Sequence, residues 1–202
     1  LISTCEMDDV LKPLSELQHD FYVGVDIGRK KDLTVIWVLE KLENIKYTRL
    51  VIELNKMPFQ KQEEILHEIL SHKLFRRDCQ DSTGIGMQMA ENAQIKFGKF
   101  RVEGVTFTNR VKEDLAYRLR TEFENKTVFI PKSHDIREDL HSVRRITTAS
   151  HNIRFDADHS ENGHADIFWA LALALHAADN GSGQINISTR KRYETLKLVE
   201  GF

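Results

Sequence analysis

Cysteine is scarce in this 202-residue chain: Cys5 and Cys79 are too few for a disulfide framework and point to a reducing compartment. An excess of one charge is also missing. Lys and Arg number 29 against 31 Asp and Glu, a formal net charge of -2, so no global field draws the chain onto nucleic acid or anionic membrane. Contact with either needs a local patch. No uncharged apolar run approaches the roughly 20 residues that span a bilayer. The start, Leu1-Ile2-Ser3-Thr4-Cys5, lacks a basic-then-apolar targeting pattern. It lacks an initial methionine too, which fits a fragment of something longer. There is no internal repeat and no low-complexity tract. What is present, 41% hydrophobic and 30% charged residues, is a folded mixture for one large domain or two small ones.

Residues 1–19 mix charged and apolar positions around Pro13 and read as a linker or leading segment. The β-branched and aromatic run Phe21 to Gly28 reads as a strand, followed by the polar loop Arg29-Lys30-Lys31-Asp32. Leu33 to Glu40 and Ile45 to Leu54 continue as an antiparallel meander. Helices and strands then alternate. A helix opens at Met57-Pro58, a strand covers Leu74 to Gln80, and a helix covers Met87 to Phe97. Next come a strand over Phe100 to Phe107, a helix from Val111 to Asn125 and a short strand at Val128 to Ile130. His134 to Ile146 reads as a helix, Asn152 to Asp156 as a strand and Ala165 to Ala178 as a strongly apolar helix. The expected class is α/β, a mixed sheet with helices on both faces. The domain spans 20–180, and the polar tail 181–202 is expected to be peripheral or disordered.

Three aspartates stand where solvation is restricted. Asp26 shares one strand face with Tyr22, Gly24 and Gly28, and the glycines leave room for a ligand or another backbone. Asp81 closes a strand at Asp81-Ser82-Thr83-Gly84, where an Asx-turn is the ordinary reading. Alternation separates it from Asp78, which points to the opposite face and has arginines nearby to neutralise it. Asp166 opens the apolar helix beside Trp169, Ala170 and Leu173, with no lysine or arginine within one turn. A helix dipole would favour it there. A buried ionised carboxylate, however, is costly unless paired or bound to metal. Oxygen donors suit Mg²⁺ or Mn²⁺. The nine histidines form no H-E-x-x-H frame and there is no Cys-x-x-Cys, so no zinc is expected. His164, two residues before Asp166, is a helix-entry residue or a further ligand. Gly84-Ile85-Gly86 lacks the Lys-Ser or Lys-Thr of a P-loop and the third glycine of a dinucleotide fingerprint. No G-x-S-x-G nucleophile elbow occurs.

Val-Gly-Val-Asp-Ile-Gly (23–28), Asp-Ser-Thr-Gly-Ile-Gly (81–86) and Gly-His-Ala-Asp-Ile-Phe-Trp-Ala-Leu-Ala-Leu-Ala (163–174) stand in an order that resembles a known family. It is the C-terminal nuclease domain of tailed-bacteriophage terminase large subunits, Mu-like prophages included, within the RNase H-like superfamily. The resemblance covers about Phe21 to Ala178. It implies a metal-dependent DNA endonuclease that cuts concatemeric or host-joined viral DNA by two-metal hydrolysis with two Mg²⁺ or Mn²⁺ ions. It further implies Asp26, Asp81 and Asp166 as catalytic metal ligands, Asp26 bridging, with His164 matching a histidine often found before the last aspartate. Arg29, Lys30, Lys31, Arg110, Lys112, Arg144, Arg145 and Arg154 are candidates to hold double-stranded DNA, each set being more often a solvated face. The family's ATPase motor is not in this chain, so no nucleotide is expected to bind it. In the full protein the implied partners are that ATPase domain, the portal and the small terminase subunit, in the host bacterial cytoplasm and without a membrane.

Three rivals remain open. Another RNase H-like nuclease, a resolvase or transposase core, shares the chemistry. An actin- or sugar-kinase-like lobe can share the Val-Asp-Ile-Gly strand, but it needs a second lobe for which this chain is short. A catalytically idle packaging module is the third. With a net charge of -2, DNA binding is expected to be weak and strongly salt-dependent. A plot of log affinity against log salt should give a slope equivalent to a few phosphates; tight, salt-independent binding would contradict it.

Overall fold

The computed structural model describes residues 1–28, 33–147, 153–157 and 165–179. Strand β1 (Glu6–Met7) is followed by the long meander β2 (Phe21–Asp26), β3 (Thr34–Leu42) and β4 (Ile45–Leu54). Helix α1 (Phe59–Leu70), β5 (Phe75–Asp81), α2 (Gly86–Phe97), β6 (Val102–Val105), α3 (Asn109–Glu124) and β7 (Val128–Pro131) alternate after it. Then come α4 (His134–Ser142), the hairpin β8 (Val143–Thr147) and β9 (Ile153–Ala157), and α5 (Asp166–Asp179). The main sheet has the order β1-β7-β4-β3-β2-β5-β6. The meander pairs antiparallel, whereas β5 joins β2, β6 joins β5, and β7 joins β4 in parallel. The sheet is therefore mixed, as its sequence grammar implies.

Period-2 alternation divides the sheet into two faces. Val23, Val25, Ile36 and Val38 pack with Leu66 and Ile69 of α1 and with Met89 and Ala93 of α2. Val35, Trp37, Leu39 and Cys79 pack on the other side with α3, α4 and the whole apolar surface of α5. Helix α5 comes so close that Gly24 has no space for a side chain. A Cβ there would lie 2.1 Å from the Ala174 amide nitrogen and 2.2 Å from the Ala170 carbonyl oxygen.

The far end of α5 is held by cations. Lys41 Nζ donates to the Ala178 carbonyl at 2.8 Å, supplying positive charge where the helix ends in unpaired carbonyls. Buried Lys46 sits between Glu122 (2.6 Å) and Asp179 (3.1 Å), and Arg118 also reaches Asp179 at 3.0 Å.

Two local expectations differ from the structure. The helix expected over His134–Ile146 ends at Ser142, and Val143–Thr147 pairs antiparallel with Ile153–Ala157. The β-branched Val143, Ile146 and Thr147 favour a strand once a partner strand exists, and that partner lies beyond the reach of local periodicity. The leading residues 1–19 also pack onto the domain: β1 pairs in parallel with β7, and Cys5, Val10 and Leu17 are buried. The tail 181–202 lies outside the described residues.

Gly24→Ala is expected to lower the unfolding free energy by about 3 kcal/mol, since neither clashing atom belongs to a side chain that can rotate away. Urea denaturation followed by circular dichroism measures it, and an unchanged midpoint would show that α5 does not seat on Gly24.

Candidate metal centre

Strands β2 and β5 run parallel with Val25 opposite Gln80, so Asp26 and Asp81 stand level at the C-terminal ends of neighbouring strands. Both belong to the face covered by α5, the face of Gly24 and Cys79. Helix α5 lies antiparallel to β2, with Ala174 and Ala170 over Gly24, and its first residue, Asp166, is delivered to the same strand ends. Ala165, just before it, adopts a left-handed backbone with φ 54. For a residue with a Cβ this costs about 1–2 kcal/mol. The bend turns the chain into the helix at the point where Asp166 begins.

The electrostatics record this convergence. Asp26 is buried, and its carboxyl is pushed well above the usual range, first by loss of water and next by the negative charges of Asp166 and Asp81. A site that penalises its own carboxylates in this way suits a cation, whose charge reverses the penalty. The donor set is oxygen only, the preference of hard divalent ions. The residues present therefore fit a divalent metal bound among Asp26, Asp81 and Asp166.

Asp81 also holds the loop after β5. Its Oδ1 accepts the Thr83 amide at 2.9 Å, so the Asx-turn and the place beside Asp26 coexist. Gly84 takes φ 65, and a Cβ on Gly86 would lie 2.1 Å from the Asp81 carbonyl oxygen. These glycines therefore serve a tight turn onto α2. Asp78 is on the other face, fully buried, accepting a hydrogen bond from the Gln80 amide. Burial lifts its pKa to about 8, against the pull of Arg77, so it carries a proton at neutral pH. A proton, more than an arginine, neutralises it.

Three contributors escaped the sequence. Asp139 of α4 accepts the Phe168 amide at 2.8 Å and caps the first turn of α5 from another helix. Its pKa rises to about 6 through burial, which outweighs the backbone hydrogen bonds from Phe168 and Ile167. It is also close enough to add to the negative field on Asp26. Glu53 is the second: β4 places it in line with Val35 and Asp26, and its charge raises Asp139 further. The third is the orientation of Lys112, expected as a contact for nucleic acid. Its Nζ lies 4.7 Å from the Trp169 ring centre and 5.3 Å from that of Phe107, and its charge favours ionised Asp26. Of the other expected basic contacts, Arg110 is exposed at the start of α3, and Arg144, Arg145 and Arg154 are exposed on the β8–β9 hairpin. Arg29, Lys30, Lys31 and His164 lie outside the described residues. No local pattern announced Asp139, since its partner amide is 29 residues away.

The family model described as the terminase RNase H-like domain matches residues 23–178. The chain belongs to this family. Its motif resemblance to terminase nuclease domains thus holds over most of its length. The probable terminase large subunit gp28 of Escherichia phage Mu is 26% identical over 176 residues, covering 84% of this chain and 31% of that protein. The Mu-like prophage FluMu protein gp28 of Haemophilus influenzae is 26% identical over 173 residues, with 84% and 34% covered. The chain thus spans about a third of the length of these relatives. Among solved structures, the large terminase nuclease of thermophilic phage G20c with bound magnesium superposes with TM-score 0.67 at 24% identity, covering 82% of this chain and 83% of that one. The large terminase nuclease domain of bacteriophage SPP1 with bound Mn gives 0.56 at 13% identity, covering 84% and 93%. At these identities the likeness establishes the fold, which is that of terminase nuclease domains. Among the described residues, no helix of this terminase domain is long and apolar enough to cross a membrane.

Folded Asp139 holds its proton more tightly than an unfolded aspartate. Its contribution to stability is therefore full below about pH 4 and is lost as pH rises through 6. Asn at this position keeps an acceptor oxygen for the Phe168 amide without the buried charge. In chelator, Asp139→Asn is expected to gain up to about 3 kcal/mol on the wild type between pH 4 and pH 7. Urea midpoints at the two pH values measure the gain, and a pH-independent difference would refute it.

Proposed function

We propose that this terminase nuclease domain cuts double-stranded viral DNA with two divalent ions, Mg²⁺ or Mn²⁺, held by Asp26, Asp81 and Asp166. The observation that carries the proposal is the placement of three aspartates at one end of the sheet: Asp26 and Asp81 level at the ends of β2 and β5, and Asp166 at the start of α5, the helix that covers their face. When bound, such ions supply an activated water and charge stabilisation for the leaving 3′-oxygen of the phosphodiester. The chain's own residues do the rest. Asp26, at the end of β2 next to β5, feels the charge of both other acids and would be the ligand shared between the ions. Lys112 lies near Asp26, where its charge can attract a phosphate. The exposed Arg144, Arg145 and Arg154 of the hairpin, with Arg110, offer a backbone-binding surface, and His164 would complete the metal set.

The whole-protein reading rests on the resemblance to terminase large subunits. In a full-length subunit this domain would follow an ATPase motor and work with the portal and small subunit in the host cytoplasm, cutting concatemeric or host-joined DNA. The resolvase or transposase reading shares the aspartates, but the family match favours the terminase.

Plasmid nicking by the 202-residue chain with Mn²⁺ or Mg²⁺, without ATP, is the direct test. Cleavage is expected to stop in EDTA and to fall at least about 100-fold in Asp81→Asn. Asp78→Asn should cut normally, because Asp78 is already protonated at neutral pH and turned to the opposite face. Both variants are checked by circular dichroism. A folded, inactive Asp78→Asn beside an active Asp81→Asn would overturn the assignment.

A further inference from the structure

A second set of donors lies under the C-terminal half of α5. Cys79 Sγ, a Glu103 carboxylate oxygen and a His176 ring nitrogen are all within 4.8 Å of one another. They come from three elements: Cys79 on β5, Glu103 directly opposite it on β6, and His176 in the last turn of α5. Along α5, His176 lies about 15 Å of axial rise from Asp166, and Cys79 stands two residues, about 7 Å, before Asp81 on β5, so the cluster neighbours the carboxylate centre without sharing a ligand with it.

The spacing resembles a metal's coordination shell. Sγ lies 3.7 Å from Glu103 Oε2, and His176 Nε2 lies 3.9 Å from the same oxygen. Around a tetrahedral zinc, with sulfur at about 2.3 Å and nitrogen or oxygen at about 2.0–2.2 Å, neighbouring donors stand roughly 3.3–3.6 Å apart. The sulfur–oxygen edge is therefore within about 0.2 Å of that geometry, and the nitrogen–oxygen edge is longer by about half an ångström. Cys79 is fully buried, while the Glu103 and His176 side chains keep 19% and 15% exposure, so two of the three donors reach solvent.

We propose that Cys79, Glu103 and His176 form a second metal site, which takes Zn²⁺ or a similar borderline-soft divalent ion such as Co²⁺. The mixed sulfur, nitrogen and oxygen set selects such ions, in contrast to the hard ions suited to Asp26, Asp81 and Asp166. Binding displaces the thiol proton to solvent, and thiolate and carboxylate together match the ion's charge. The buried Arg77 guanidinium hydrogen-bonds the same Glu103 oxygen, Oε2, so on metal binding the carboxylate would share that oxygen or turn its other one to the ion, with Arg77 as the outer partner. Without metal it already pairs with Glu103. Occupied, the site would clip α5 to β5 and β6. This departs from the expectation of no zinc, which rested on short sequence frames that donors 24 and 73 residues apart do not form.

Cobalt titration of the chelator-stripped 202-residue chain tests the site apart from any nuclease activity. Thiolate coordination gives an intense near-ultraviolet charge-transfer band that an all-oxygen centre lacks. The band is expected to saturate at one Co²⁺ per chain, to persist in Asp26→Asn and Cys5→Ser, to disappear in Cys79→Ser and to bleach on adding Zn²⁺. His176→Asn, which leaves the thiol in place, should weaken cobalt affinity at least about tenfold. No band in the folded wild type would mean that Arg77, Glu103 and His176 form a metal-free charge network, and it would overturn the proposal. So would a band that survives Cys79→Ser.

Discussion

The close seating of α5 on Gly24 is the contact on which the rest depends. Ala170 and Ala174 touch the strand backbone itself, at a distance only glycine permits. An apolar helix packed this tightly has one position along its axis and little freedom to slide, since its small residues interlock with the sheet. The carboxylate at its start is therefore placed by packing along its length. Lys41 and the Lys46–Glu122–Asp179 group hold its other end, so α5 is fastened at its C-terminus, at its middle and, through Asp139, at its first turn.

That fastening opposes a repulsion. Asp26 is lifted by burial and by Asp166 and Asp81, and Asp139 adds to the same field. Without a cation the fold bears the cost of holding these groups together; with one, the same arrangement becomes favourable. Lys112 partly offsets the field from above Trp169 and Phe107. In the proposed reading, the centre exchanges stability for affinity toward positive charge.

Much of this was legible residue by residue. Alternation in β2 sorted Asp26 and Gly24 onto one face and Val23 and Val25 onto the other, and alternation in β5 separated Asp81 from Asp78. Both follow from a period of two that no tertiary contact alters. The reach of Asp139 to Phe168, the line from Asp26 through Val35 to Glu53, and the meeting of Cys79, Glu103 and His176 were not legible. Each joins residues far apart in sequence through register or helix placement. The end of α4 is set in the same way: Val143 to Thr147 is a strand because Ile153 to Ala157 lies beside it.

The sequence by itself determined the α/β class, the meander, the apolar helix and the three aspartates at element ends, because these depend on local periodicity and on where a carboxylate interrupts an apolar run. Tertiary structure alone decided that β1 closes the sheet beside β7, that α5 approaches Gly24 closely enough to aim Asp166 at Asp26, and that Lys112 turns toward the acids. Distances of this kind come from packing two surfaces together, and a chain's local pattern carries no record of which surface will meet which.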